Sequence, residues 1–248
     1  MLRVTAKQQL VREIVEVLSV LNEEAKIIWG ENGLVVTIVD GSHVALLSAK
    51  IGNECFETYE VEPVDIGLEL GKMKDLLSLG GSDLVEIDYD KAVGMMNVRI
   101  GSVLRILRGL DTSTMDNPSL PDLEFNSRAT IDSEKLSKSL RAAKFVGELV
   151  DFSIDNNQLR VSVQSEAGEG VNVKFESGEL GELSCSEPSQ STYSLQFLEP
   201  LTRKLASGIT DEITLQFQEK YPLKLTWKTN DGGAEWVYFL APRVINDP

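Results

Sequence analysis

The chain has one imidazole, His43 in the run Asp40-Gly41-Ser42-His43-Val44, and two thiols, Cys55 and Cys185. A structural metal site needs three or four Cys, His or carboxylate ligands at short, recurring spacings. His43 has no Cys or His partner at such a spacing, and the two cysteines lie far apart outside any C-x-x-C pattern. Neither a metal site nor a disulfide framework is indicated, and both thiols read as reduced and packed. For acyl or phosphoryl transfer the sequence would have to carry G-x-S-x-G, a Walker-type loop or H-E-x-x-H, and it carries none. The glycines of GELGELS (178–184) follow no strand-to-helix phosphate signature and read as a turn at a sheet edge. The 39 acidic residues are scattered, and no two of them stand out as a general acid and base. No catalytic residue, cofactor or metal is assigned.

What remains is the chemistry of charge. A net charge of -15 over 248 residues argues, as a total, against nucleic acid, because phosphate binding needs local cation density. The distribution says more. Four stretches with helical apolar periodicity can be counted apart from the rest. Residues 5–21 set Lys7 and Arg12 against Glu13 and Glu16, and residues 69–80 set Lys72 and Lys74 against Glu69 and Asp75. Residues 132–148, with Lys135, Lys138, Arg141 and Lys144, and residues 198–208, with Arg203 and Lys204, each carry a net +1. The acidity is therefore concentrated on strands and loops. At about 100° per residue, Lys138 and Arg141 project away from the Leu136, Leu140, Ala143 stripe of their helix. Two readings stay open from charge alone: a solvated face, or one basic surface presented by several helices inside an acidic body.

The elements that must position these residues come in a repeat. Leu10, Ile14, Val17, Leu18 and Leu21 form a helical stripe followed by the strand-like NGLVVTIVD (32–40); Leu136, Leu140, Ala143 and Gly147 form a second, followed by NQLRVSVQS (157–165). Leu34, Val36 and Ile38 map onto Leu159, Val161 and Val163 at an offset of 125 (159 minus 34). GKMKDLLSLGG (71–81) and its following strand answer LEPLTRKLASG (198–208) and its strand, with Asp83 to Asp211 an offset of 128. Each half reads as helix, strands, helix, strands. Between them DTSTMDNPSLPDL (111–123) has no period, and Pro118 and Pro121 bias it toward an extended connector. The expected organisation is α+β, with similar domains at 1–110 and 124–248 joined by 111–123. MLRVTAKQQLVREIVEV at the N-terminus reads as an amphipathic helix and not as a signal h-region, and no stretch of about 18 apolar residues occurs, so a soluble intracellular protein is expected.

GLVVTIVDGSHVALL (33–47), CFETYE (55–60), FESGELGELS (175–184), TYSLQFLEPLTRKL (192–205) and YPLKLTW with WVYFLAPRV (221–244) together resemble the proliferating cell nuclear antigen family of sliding clamps. The match runs in order along essentially the whole chain. The resemblance implies a ring-shaped trimer of two-domain subunits, antiparallel sheets outside and helices lining a hole for duplex DNA, with no enzymatic activity. It implies sequence-independent contact with DNA and partners among DNA polymerase, clamp loader, flap endonuclease and DNA ligase, with no membrane. Carried onto this chain, the inward cations are Arg12, Lys138, Arg141 and Arg203, with Lys7, Lys72, Lys74, Lys144 and Lys204 as neighbours. Glu13, Ser19, Asp75 and Ser78 stand where relatives are often basic, so a less positive hole is expected.

The same resemblance places subunit contacts on two sheet edges, VLRILRGL (103–110) and KFESGELGE (174–182), with Val146 and Ile106 positioned for apolar contact and Arg105 and Arg108 facing Glu176, Glu179 or Glu182. A pocket for a partner peptide is implied at Val39, His43, Val44, Leu46, Leu120, Pro222, Phe239, Leu240, Ala241 and Pro242. The short loops and near-minimal length lean to an archaeal clamp acting at the nucleoid in the cytoplasm, or in the nucleus if eukaryotic. A heterotrimeric replication or checkpoint ring is the alternative to a homotrimer.

Overall fold

The computed structural model describes residues 1–80 and 83–243; Gly81 of the second helical stretch and Val244 of the WVYFLAPRV motif lie outside the described residues. The chain divides into two compact units, Met1–Leu120 with Lys228–Trp236, and Pro121–Trp227 with Val237–Pro248. In the first, β1 (Leu2–Lys7), α1 (Gln8–Leu18), β2 (Glu24–Gly30), β3 (Gly33–Val39), β4 (Ala45–Gly52), β5 (Thr58–Val61) and β6 (Val64–Glu69) precede α2 (Leu70–Ser78), β7 (Leu84–Asp90), β8 (Met95–Ile100) and β9 (Val103–Arg108). In the second, β10 (Ser127–Asp132), α3 (Ser133–Lys144), β11 (Leu149–Ile154), β12 (Gln158–Gln164), β13 (Gly170–Glu176), β14 (Glu182–Cys185) and β15 (Ser189–Ser194) precede α4 (Leu195–Leu205), β16 (Glu212–Gln216) and β17 (Leu223–Thr229). A last strand, β18 (Ala234–Leu240), completes the series, so the element order of the first half recurs in the second. Helices α1 and α3 begin 125 residues apart (133 minus 8), as do α2 and α4 (195 minus 70).

The strand pairings described below are antiparallel. In the first, one sheet runs β5-β1-β7-β8-β9 and a second run is β6-β2-β3-β4. In the second, β13-β12-β11-β15 forms one sheet and β14-β10-β16-β17 runs in order. Alternation supplies the core: Leu2, Val4 and Ala6 of β1, Val85 and Ile87 of β7, and Met96, Val98 and Ile100 of β8 all turn inward. Helix stripes close over them, Leu10, Ile14, Val17 and Leu18 from α1 and Leu136, Leu140 and Ala143 from α3.

One expectation needs correction. Residues 2–7 are a strand and not the start of a helix. The apolar residues there recur every second position, and β1 is hydrogen-bonded on both sides, Leu2 opposite Val61 and opposite Tyr89. Lys7 accordingly ends a strand. The connector also begins held in place: Leu110 N–H donates to the Gly67 carbonyl at 2.9 Å, and Asp111 accepts from Ser113 N–H at the following 3-10 turn, Thr112–Thr114. A Cβ on Gly67 would stand 2.9 Å from both Leu110 Cβ and Met115 Sδ, so only glycine admits this approach.

Candidate nucleic-acid interface and protein-docking edges

The clearest cationic surface lies in the second unit. Asp132 caps α3 by accepting from Lys135 N–H at 2.8 Å, and the helix then buries Leu136, Leu140 and Ala143. Lys138 and Arg141 are left on the exposed side. With Phe145 at the end of α3, Arg203 of α4 and Ser207 just beyond it, they line a groove along the two helices. Neither Lys138 nor Arg141 joins an ion pair among the described residues. The neighbouring cations are differently placed. Glu199, 6% exposed, sits between Lys144 Nζ at 3.4 Å and Arg203 Nε at 3.6 Å, so one buried carboxylate offsets part of both charges. Lys204 is half-buried. The burial of Glu199 between two cations depends on the packing of α3 against α4.

In the first unit Arg12 serves the fold, whereas Lys7, Lys72 and Lys74 are exposed. Arg12 Nη2 donates to the Leu77 carbonyl at 2.7 Å, and Gln8 Nε2 donates to the same oxygen at 3.0 Å, closing the end of α2. Lys72 pairs with Glu69, and Lys74 lines a shallow groove with Glu23, Glu24 and Glu69. Glu13 behaves unlike the expectation for it. The carboxylate is 7% exposed and accepts from Thr229 Oγ1 and, at 3.1 Å, from Trp236 Nε1. Burial pushes its pKa up, and the hydrogen bonds from Thr229, Trp236 and Asn230 pull against that. Glu13 therefore contributes no charge to a solvent-facing helix surface.

The Asp40–Ala45 turn is built around a carboxylate. Asp40 accepts from the N–H groups of Ser42, Val44 and Ala45 at 2.8, 2.7 and 2.7 Å. Burial opposes its ionisation, but the bonds from Ala45, Ser42 and Val44 together hold its carboxyl below the usual range. The turn puts His43 at φ 55°, exposed, and leaves Val39, Val44 and Leu46 half-buried. Leu120, near the end of the connector, is 47% exposed. Among the second unit's expected peptide-binding positions, Pro222, Ala241 and Pro242 are half-buried, Phe239 is 7% exposed and Leu240 is fully buried. Lys224 Nζ stands 5.8 Å from the Phe239 ring and 5.9 Å from the Phe125 ring, which packs edge-on against Tyr221 at 5.6 Å. Lys224, Phe125 and Tyr221 were not singled out from the sequence, since the long separation of Phe125 from Phe239 hides their cluster.

The residues expected at subunit contacts lie on and around two sheet edges. Among the described residues β9 pairs only with β8, and β13 only with β12. The expected segment 174–182 catches only the end of β13, which begins at Gly170. Ile106 is 58% exposed on β9, and Arg108 is exposed. Arg105 turns the other way: its Nη1 donates to the Lys72 carbonyl of α2 at 2.8 Å. Glu182 is bound by Arg128 Nε at 2.7 Å, and Glu179 accepts from Glu176 N–H at 3.0 Å. Val146 is half-buried at the end of α3.

The N-terminal domain model of proliferating cell nuclear antigen matches residues 1–105 and its C-terminal domain model matches residues 119–243. The chain belongs to the proliferating cell nuclear antigen family. The DNA polymerase sliding clamp of Thermoplasma volcanium is 27% identical over 249 residues, covering 98% of this chain and 99% of the relative. That of Methanococcoides burtonii is 26% identical over 251 residues, with full coverage of both chains. The A. fulgidus clamp, solved with the C-terminal region of FEN-1 bound, superposes with a TM-score of 0.91 at 26% identity over the whole of both chains. Among the described residues of this clamp-family chain, no helix is long and apolar enough to cross a membrane, and no group of three His, Cys, Asp or Glu is arranged to hold a metal ion.

Proposed function

We propose that this chain is a DNA sliding clamp: three copies close head to tail around duplex DNA and tether DNA polymerase and other replication and repair enzymes. It works as a scaffold, with no catalytic step of its own. The observation that carries the reading is the segregation of charge within a duplicated fold, where Lys138 and Arg141 stand free on a helix of a chain whose net charge is -15. Flexible cations aimed at phosphates read no base edges, so each contact exchanges with the next along the duplex. Retention then comes from ring closure and not from affinity.

The relatives' name, DNA polymerase sliding clamp, supports the polymerase as a partner. The FEN-1 segment on the A. fulgidus clamp supports a flap endonuclease as another. A clamp loader and DNA ligase complete the proposed set, and the site of action is replicating DNA in an archaeal-type cytoplasm. Partner motifs are proposed to use Val39, His43, Val44, Leu46 and Leu120 of the first unit and the Pro222 and Phe239–Pro242 positions of the second. The test is primer extension on a primed single-stranded circle in template excess, with a cognate polymerase and loader. Adding this chain should lengthen the products several-fold; unchanged product length at saturating chain would refute the reading.

A further inference from the structure

We infer that a cationic cavity in the second unit, on the sheet face that turns away from α3, seats an acidic side chain of a partner segment flanking the docking motif. The inference rests on the docking positions proposed above and adds a charge-reading subsite beside them. The floor of the cavity follows from strand register. In the sheet β13-β12-β11-β15, Leu159, Val161, Phe152 and Ile154 are buried on the core face, where α3 packs. The alternate residues face the other way. Arg160 lies opposite Ser153, and Ser153 lies opposite Gln190, so a cation, a hydroxyl and an amide form one row across three strands.

Two chain segments wall this row. Arg243 N–H donates to the Thr192 carbonyl at 2.8 Å, which lays the residue after Pro242 against the edge strand β15. The Tyr193 hydroxyl donates to the Tyr221 carbonyl at 2.8 Å, and Tyr221 N–H donates to the Gln218 carbonyl at 3.3 Å. The turn between them holds Lys220 at φ 52°. Arg160, Ser153, Gln190, Thr192, Lys220 and Arg243 are among the residues that line the resulting cavity of about 610 Å³.

Charge and hydrogen bonding select an anion. Arg160 is half-buried, its Nε is covered without a partner, and its guanidinium joins no hydrogen bond or ion pair among the described residues. A half-buried guanidinium with unused donors suits a carboxylate, which takes two N–H groups at once. Arg243 is exposed, and Lys220 reaches only Glu219, at 3.9 Å with both side chains in solvent. Of the acids nearby, Asp155 lines the cavity but accepts from the N–H groups of Asn157 and Gln158 at 2.7 and 3.1 Å. Its carboxyl is held below the usual range, first by the Asn157 N–H and last by Arg160. Asp151 accepts from the Thr192 hydroxyl. Lys174 and Glu176 stand opposite Arg160 and Gln158 on β13, beyond the cavity lining.

Position names the source of the anion. Arg243 follows Pro242, and Lys220 stands two residues before Pro222, both positions proposed to receive partner motifs. A bound segment that continues past them meets the cavity. With a net charge of -15, the body as a whole repels an acidic flank, so these cations fix where such a flank sits. Duplex DNA is proposed to meet Lys138 and Arg141 on α3, on the opposite side of this sheet.

The experiment titrates the full chain into labelled peptides of the FEN-1 C-terminal region, read by fluorescence anisotropy. The peptides carry three added glutamates, or three added glutamines, at one end or the other. At about 50 mM salt the glutamate form should bind about five-fold tighter than the glutamine form at one of the two ends, and the preference should fade at about 500 mM. Arg160→Gln with Arg243→Gln should remove the preference, while the glutamine peptide, which brings no anion, binds as before. Lys220→Gln with Arg243→Gln alters exposed residues only; it should at least halve the preference even if Arg160→Gln lowers the melting temperature. No preference at either end with the wild-type chain, or one that survives both double variants, would overturn the subsite. So would a fall in duplex affinity in these variants as large as that of Lys138→Ala with Arg141→Ala, which would give the cavity to nucleic acid. Failure of every peptide to bind would instead refute the docking pocket, and the subsite with it.

Discussion

Replacing Lys138 and Arg141 by alanine removes two cations per subunit that no carboxylate offsets among the described residues. Each cation that neutralises a phosphate contributes about 0.9 to the slope of log K against log salt, so a subunit that uses both should see its slope fall by about 1.8 in the double variant. Over a rise from about 50 to about 200 mM salt, a slope of 1.8 corresponds to about a twelve-fold change in affinity. Wild type should therefore lose about twelve-fold more affinity over that range than the double variant, for each subunit engaged. Fluorescence anisotropy on a short duplex, repeated across the salt series, reads this directly. Lys144→Ala with Arg203→Ala is the control, because those two cations already share Glu199 and should carry less of the slope. An unchanged slope in the Lys138, Arg141 variant, or an equal fall in the control, would refute the ranking of the cations.

Three further outcomes are expected. Glu13 has a folded pKa raised above its ordinary 4.5, so its contribution to stability is full below that pH and is lost as pH rises through the raised value; Glu13→Gln should flatten that part of a urea-stability profile, and an unaltered profile would contradict the burial argument. Asp40→Ala strips three N–H groups of their acceptor and should cost roughly 2–4 kcal/mol, while in wild type the benefit of Asp40 is lost only as pH falls through its lowered pKa; a variant within about 0.5 kcal/mol of wild type in urea would deny the turn its role. Leu120→Ala, at a half-exposed position, should weaken binding of a partner-motif peptide by calorimetry without lowering the melting temperature; unchanged affinity would remove Leu120 from the proposed pocket.

The repeat was legible because each half must bury a helix stripe and alternating strands, and those periods survive in residues such as Leu34, Val36 and Ile38 against Leu159, Val161 and Val163. The exposed placement of Lys138 and Arg141 followed from the same period. What escaped the sequence depends on distant partners. Residues 2–7 read as part of a helix because their two pairing strands lie near positions 60 and 90. Glu13, met as a charge on a helix, is buried beneath Trp236 and Thr229, and the packing of α3 on α4 buries Glu199 between Lys144 and Arg203. Phe145 passed unmarked beside Val146, since an aromatic at a helix end declares its exposure only once the helix is packed.

Release from DNA tests the central claim most directly. The chain is loaded onto a nicked circular plasmid, freed of unbound protein by gel filtration, and the plasmid is then cut once. A closed ring holds on by topology, so the account predicts retention on the circle and rapid loss from the linear molecule at the same salt. Equal retention on circular and linear DNA would contradict it, because binding would then rest on affinity and not on encirclement.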